Sequence, residues 1–255
     1  MLFDTHVHLN AEQFEEDLTE VIERAKAAGV ENMVVVGFDR PTIQRALELA
    51  EEHPFLYASI GWHPVDAIDM TEVDLQWIEE LAAHEKVVAL GEMGLDYHWD
   101  KSPKDVQQEV LRKQIILAKK LKMPIIIHNR EATEDLMKIL KEEGASEVGG
   151  IMHCFSGSIE VAMECLKMNF FISLGGTLTF KNAKKPKEVA AAVPLEKLLI
   201  ETDCPYLAPH PYRGKRNEPG YVKLVAEKIA EIKEISYEEV AEQTSKNAKK
   251  LFAII

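Results

Sequence analysis

Cysteine is scarce and odd in number. Cys154, Cys165 and Cys204 are the only three in 255 residues, which excludes a disulfide-stapled framework. Long apolar runs are missing too: none approaches the ~18 residues that suit a bilayer span. The N-terminus also lacks the basic stretch and following apolar stretch of a secretion signal. These absences predict a cytoplasmic protein without membrane contact. Positive charge is in deficit, 30 Lys and Arg against 43 Asp and Glu for a net charge of −13. That excludes a protein that coats nucleic acid through a broad basic face. An enzyme that grips a phosphodiester in a small site is still allowed, because bound cations supply local positive charge. No glycine-rich loop follows the first apolar run, which continues "DTHVHLNAEQF", so a dinucleotide-binding sheet is disfavoured. Linkers, low-complexity tracts and internal repeats are absent as well, which predicts one domain over residues 1–255 and no obligate protein partner.

What is present alternates. Short apolar, β-branched runs occur at residues 1–7, Asn32–Gly37, Phe55–Gly61, Lys86–Glu92, Pro124–His128, Gly149–Cys154, Phe170–Gly176 and Lys197–Asp203. Between them lie helical periodicities, such as the stripe of Phe14, Leu18, Val21, Ile22 and Ala25 in "FEEDLTEVIERAKAAG". Nearly continuous apolar strands separated by helices imply a parallel sheet covered on both faces. Eight such units in this length predict an α/β fold, a (β/α)8 TIM barrel, with two extra C-terminal helices packed against it.

Chemistry in such a barrel sits at the C-terminal ends of the strands. Polar residues fall there: His6 and His8 after the first run, His63 just past the third, Glu92 after the fourth, His128 after the fifth, His153 after the sixth and Asp203 after the eighth. Singly, each is an ordinary core histidine or a helix cap. Jointly, one rim has collected them, and metal ligation is the single cause that accounts for all. His63, just past its strand, lies outside the ligand count; the other four imidazoles and two carboxylates exceed one tetrahedral site, so two divalent metal ions are expected, with Glu92 placed to bridge them. The nitrogen-rich set suits zinc, manganese or iron better than magnesium, which prefers oxygen; zinc, manganese and magnesium all remain candidates.

The segments "FDTHVHL", "GWHP", "GEMGLDY", "PIIIHNREA", "MHCFSG", "SLGGTLTF", "ETDCPYLAP" and "RGKRNEP" run in the order found in the TatD-like deoxyribonuclease family of metal-dependent, amidohydrolase-like hydrolases, and the chain resembles that family over essentially its whole length. The resemblance implies the same barrel, and His6, His8, Glu92, His128, His153 and Asp203 as metal ligands, with His63 as an additional active-site histidine. It implies metal-dependent phosphodiester hydrolysis, a DNase activity often exonucleolytic from the 3′ end, with DNA as a locally gripped substrate. Two departures lie near the pocket: Cys204 where alanine or serine is usual, and Val65 where a histidine often follows the His-Pro pair.

Within that reading Asp203 is the expected proton acceptor, Glu92 the shared catalytic carboxylate and His63 a donor to phosphate or leaving group. Glu201 shares a face with Asp203 and either orients a ligand histidine or forms a mid-barrel salt bridge. Arg130, Arg213 and Asn217 are expected phosphate contacts, the latter two from the basic loop "HPYRGKRNEP". Cys154 is expected to face away from the lumen. Tyr97, His98 and Trp99 either stack a base or pack over the mouth, and packing is favoured. The same metal centre also serves hydrolysis of an amide, lactone or aminoacyl ester, and a non-catalytic metal-dependent binding protein is the alternative of another class.

Overall fold

The structure, a computed structural model, describes residues 1–254. Eight parallel strands pair in sequence order: β1 (Leu2–Val7), β2 (Val30–Gly37), β3 (Leu56–Ile60), β4 (Val87–Asp96), β5 (Ile125–Arg130), β6 (Gly150–Met152), β7 (Phe170–Leu174) and β8 (Leu198–Ile200). Helices α1 (Leu18–Ala27), α2 (Arg40–Glu52), α3 (Glu72–Leu81), α4 (Lys104–Leu121), α5 (Thr133–Glu142), α6 (Ile159–Lys167) and α7 (Lys184–Ala192) alternate with them. The chain ends in α8 (Val222–Lys233) and α9 (Tyr237–Leu251). This is the expected TIM barrel. The first helix starts later than its periodicity suggests: Phe14 sits in a short 3-10 turn and α1 begins at Leu18. Among the described residues no helix is long and apolar enough to cross a membrane.

Two apolar layers follow from strand alternation. Phe3, Val34, Val36, Ala89, Ile126, Ile151, Phe171 and Leu199 fill the barrel interior, and Ala248 and Phe252, at the end of α9, pack with them. The Phe252 ring lies 5.9 Å from that of Phe3. Leu2, Val7, Met33, Val35, Ile125 and Ile127 instead join the layer that includes the helices' apolar faces. Burying each of these large side chains contributes roughly 1.5–3 kcal/mol.

The barrel closes where the polar residues collect. β8 reaches β1 through the Val7–Cys204 bridge, and the Asp203 N–H donates to the His6 carbonyl at 2.9 Å. Just below, the buried Asp4 carboxylate accepts the Thr202 backbone N–H and hydroxyl, at 2.9 and 2.6 Å. The seam between first and last strand is therefore also what sets His6 and His8 beside Asp203.

Two register slips aim the site. Phe3 faces the interior and Val7 the helices, so the side-chain parity changes between them, where β1 slips against β2 between Asp4 and Val7. In β4, Leu90 and Met93 both face the helical layer although three residues apart, and the slip falls between them. Bulges of this kind bend a strand and re-aim the side chains beyond. Here they turn His6, His8, Glu92 and Asp96 toward the barrel axis.

Candidate metal centre

The strand ends line a cavity of about 680 Å³ bordered by His8, His63, Glu92, His128, His153 and Asp203. Glu92 is central among these side chains, and its two oxygens serve different neighbours. Oε2 lies 3.4 Å from His6 Nε2 and 4.0 Å from His8 Nε2. Oε1 lies 2.9 Å from both His128 Nδ1 and His153 Nε2, and 3.7 Å from His63 Nε2. Asp203 Oδ1 completes the first group, 3.3 Å from His8 Nε2 and 3.7 Å from His6 Nε2. All six expected ligands are thus brought together, in two clusters that share Glu92.

Electrostatics mark the centre as a place for cations. Burial opposes ionisation of Glu92, but His153, His6 and His128 outweigh it and hold the carboxyl well below its usual range. Burial likewise opposes a charge on His153, and Glu92 and Glu201 overcome it, raising the imidazole well above its ordinary value. His6 goes the other way, lowered first by burial and then by repulsion from His153. The imidazole nitrogens of His6 and His8 approach to 3.2 Å, and among the described residues His6 Nδ1 and Glu201 Oε2 are buried without a partner. Converging acceptors of mixed nitrogen and oxygen character, three sets of which have ligand atoms within 4.8 Å of one another, fit bound divalent metal.

Residues around the cluster orient it. Glu201 Oε1 faces His153 Nδ1 at 3.2 Å and accepts the Cys154 N–H at 2.7 Å. Asp96, which the sequence reading passed over, presents Oδ2 to His128 Nε2 at 2.9 Å. Its local signal is alternation, since Glu92, Gly94 and Asp96 share a face, but it lies four residues past the end of the fourth apolar run. His63 is half-buried in the cavity wall, where desolvation pushes its imidazole down to about 4, and its Nδ1 accepts the Val65 N–H at 3.2 Å. Its proton is therefore on Nε2, toward the cavity.

Residues 3–253 match the family described as "TatD related DNase". The chain belongs to the TatD-related DNase family. An uncharacterized metal-dependent hydrolase of Bacillus subtilis, YabD, is 72% identical over 254 residues covering 100% of both chains. The "3'-5' ssDNA/RNA exonuclease TatD" of Klebsiella pneumoniae is 33% identical, covering 99% of this chain and 98% of its own. The crystal structure of the TatD homologue YJJV from Escherichia coli superposes with a TM-score of 0.94 at 32% identity, covering 100% of this chain and 98% of the other. This TatD-family barrel is accordingly a metal-dependent hydrolase.

The expected substrate contacts divide. Arg130 lines the cavity. Arg213 does not; its guanidinium lies 4.4 Å over the Phe180 ring. Asn217 is corrected outright: it is fully buried, its Nδ2 donates to the carbonyls of Thr202 (2.8 Å) and Tyr206 (2.6 Å), and its Oδ1 accepts the Glu218 N–H. Its amide is saturated by the loop it holds, so it has no group left for phosphate. Arg216 of the same loop is bound to Asp17 and Glu218. Cys154 is a second correction: its backbone adopts φ 43°, and the residue lines the cavity. Of the aromatic trio, Tyr97 packs as expected, its hydroxyl donating to Asp135 at 2.7 Å, whereas Trp99 is 55% exposed at the mouth.

Proposed function

We propose that this TatD-family chain is a metal-dependent nuclease that hydrolyses phosphodiester bonds of DNA, removing nucleotides from single-stranded ends in the 3′-to-5′ direction. The observation that carries this reading is the double cluster around Glu92 at the floor of a cavity with one cationic side chain, Arg130, in its wall. The Klebsiella relative's name supports the choice of nucleic acid.

Two divalent ions would be held by His6, His8 and Asp203 on one side and His128 and His153 on the other, with Glu92 between. When bound, they supply Lewis acidity, acidifying water and neutralising charge on a phosphoryl group. The protein's own groups do the rest. Asp203, its carboxyl lowered against the effect of burial by the hydrogen bond with His8, stays ionised and accepts the proton of the attacking water. His63 offers its Nε2–H to a phosphoryl oxygen. Arg130 binds a non-bridging oxygen with its planar guanidinium, a pairing favoured by geometry as well as charge.

The test is cleavage of a short end-labelled single-stranded DNA by wild type and Asp203→Asn, with magnesium, manganese or zinc supplied separately. Metal-dependent shortening from the 3′ end, slowed about 100-fold or more in a variant that unfolds at the wild-type temperature, is expected. No shortening with any metal, beside turnover of an amide, lactone or aminoacyl ester, overturns the nuclease reading.

A further inference from the structure

Seven large apolar side chains are exposed among the described residues, and three of them, Trp99, Tyr206 and Leu207, line the one cavity that holds the metal centre. Exposed aromatic surface is a recurrent mark of a binding site, because leaving it in water forfeits burial that the fold could otherwise use. Trp99 follows β4 and Tyr206 follows β8. Those strands stand four apart in an eight-stranded ring, on opposite sides of its axis. The two rings therefore flank the Glu92 cluster from opposite walls.

Both platforms are fixed in place from beneath. Asp96 Oδ1 accepts the N–H groups of His98 (3.0 Å) and Trp99 (3.3 Å), which sets the turn after β4. The His98 ring meets Trp99 edge-on at 5.0 Å, and the Arg130 guanidinium lies 5.8 Å from the indole. Tyr206 is 48% exposed, yet its carbonyl accepts from the buried Asn217 and its N–H donates to the backbone carbonyl of Asp203. Its ring meets His8 at 5.9 Å. This supplies a reason for Asn217: it positions the Tyr206 loop.

We infer that Trp99 and Tyr206 are base-stacking platforms that hold the nucleobases on either side of the scissile phosphate, the phosphate that Arg130, beside Trp99, grips. The inference rests on the nuclease reading and deepens it: the site recognises bases by their flat faces, without regard to sequence, as well as the sugar-phosphate chain. Every base has such a face, so stacking tolerates any sequence. Bases within a duplex already spend both faces on their neighbours, so only a single or frayed strand can engage both walls.

Trp99 also provides its own reporter. The chain has three tryptophans; Trp62 is buried and Trp77 lies half-buried under Arg40. The experiment titrates the full chain, with its metal as purified, with phosphorothioate hexathymidylate and with an abasic phosphorothioate of equal length and charge, reading tryptophan emission. Hexathymidylate should quench emission, and the abasic oligomer should bind about 5- to 100-fold more weakly without quenching. Trp99→Ala and Tyr206→Ala should each lose affinity for hexathymidylate by a similar factor, whereas Trp99→Phe keeps the affinity and loses the signal. Equal binding of the abasic oligomer, or wild-type affinity in both alanine variants, overturns stacking. Cleavage of the two phosphodiester counterparts at equal rates would sink stacking and leave the nuclease reading standing. Neither binding nor cleavage of either oligomer sinks the nuclease reading and stacking with it.

Discussion

His128 is held between two carboxylates, with Nδ1 2.9 Å from Glu92 and Nε2 2.9 Å from Asp96. Asp96 accepts the Nε2 proton and leaves the Nδ1 lone pair facing the cluster, where His153 Nε2 lies 3.5 Å away. Asp96→Asn replaces an acceptor by a group that can donate, which selects the wrong tautomer. Groups that orient ligand histidines are typically worth 10- to 100-fold in metal affinity. Asp96→Asn should therefore weaken metal binding by about that factor in a chelator competition, with the unfolding temperature of the metal-free protein unchanged. Wild-type metal affinity in the variant would remove Asp96 from the site.

At the scale of the element, β4 has the most demanding role. It must slip register, turn Glu92 and Asp96 inward and lie close against β5. Gly94 makes that approach possible: its φ is 153°, and a Cβ there would stand 1.9 Å from the His128 carbonyl oxygen. Gly94→Ala should cost about 1–3 kcal/mol in denaturant unfolding through backbone strain and overpacking. It should also lower metal content, since β5 carries His128. Unchanged stability and full metal content would show that β4 and β5 have room to separate. The contrast with β5, β6 and β8 is instructive. In those strands Ile126 and His128, Ile151 and His153, Leu199 and Glu201 follow plain alternation from barrel core to site. A reading by period 2 places them correctly, while β1 and β4 need their bulges to be known.

Across the whole molecule, the loop after β8 is tied back to α1. Arg216 pairs with Asp17 at 2.7 Å, Arg24 bonds both Asp17 and Glu218, and the Arg216 guanidinium lies 4.9 Å over the Phe14 ring. The loop's charge thus serves the closing seam of the barrel. Hydrogen bonds from Arg216, with those from Arg24, hold Asp17 down at about 2. A carboxyl depressed in the folded state contributes its stability above its unfolded value of about 3.9 and loses it as pH falls toward the folded one. The stability difference between wild type and Asp17→Asn in urea unfolding should therefore be full at pH 7 and shrink between about pH 4 and 2. A difference independent of pH would mean that the tie is not electrostatic.

The sequence by itself determined the eight β/α units, their parallel pairing and the rim on which chemistry collects, because apolar periodicity and the position of a polar residue after a run are local properties. It also marked Glu92 and the five histidine and carboxylate side chains of the expected ligand set that gather around it. Tertiary structure alone decided how they are shared between the two oxygens of Glu92, since that depends on one-residue slips in β1 and β4 that leave no mark in composition. It decided that Asp96 belongs to the site, that Asn217 supports a loop, and that Trp99 and Tyr206 face each other's side of the same cavity. Asp96 alone had a local sign, its alternation with Glu92; the others are set by partners from 11 to more than a hundred residues away in the chain, and no local pattern carries that information.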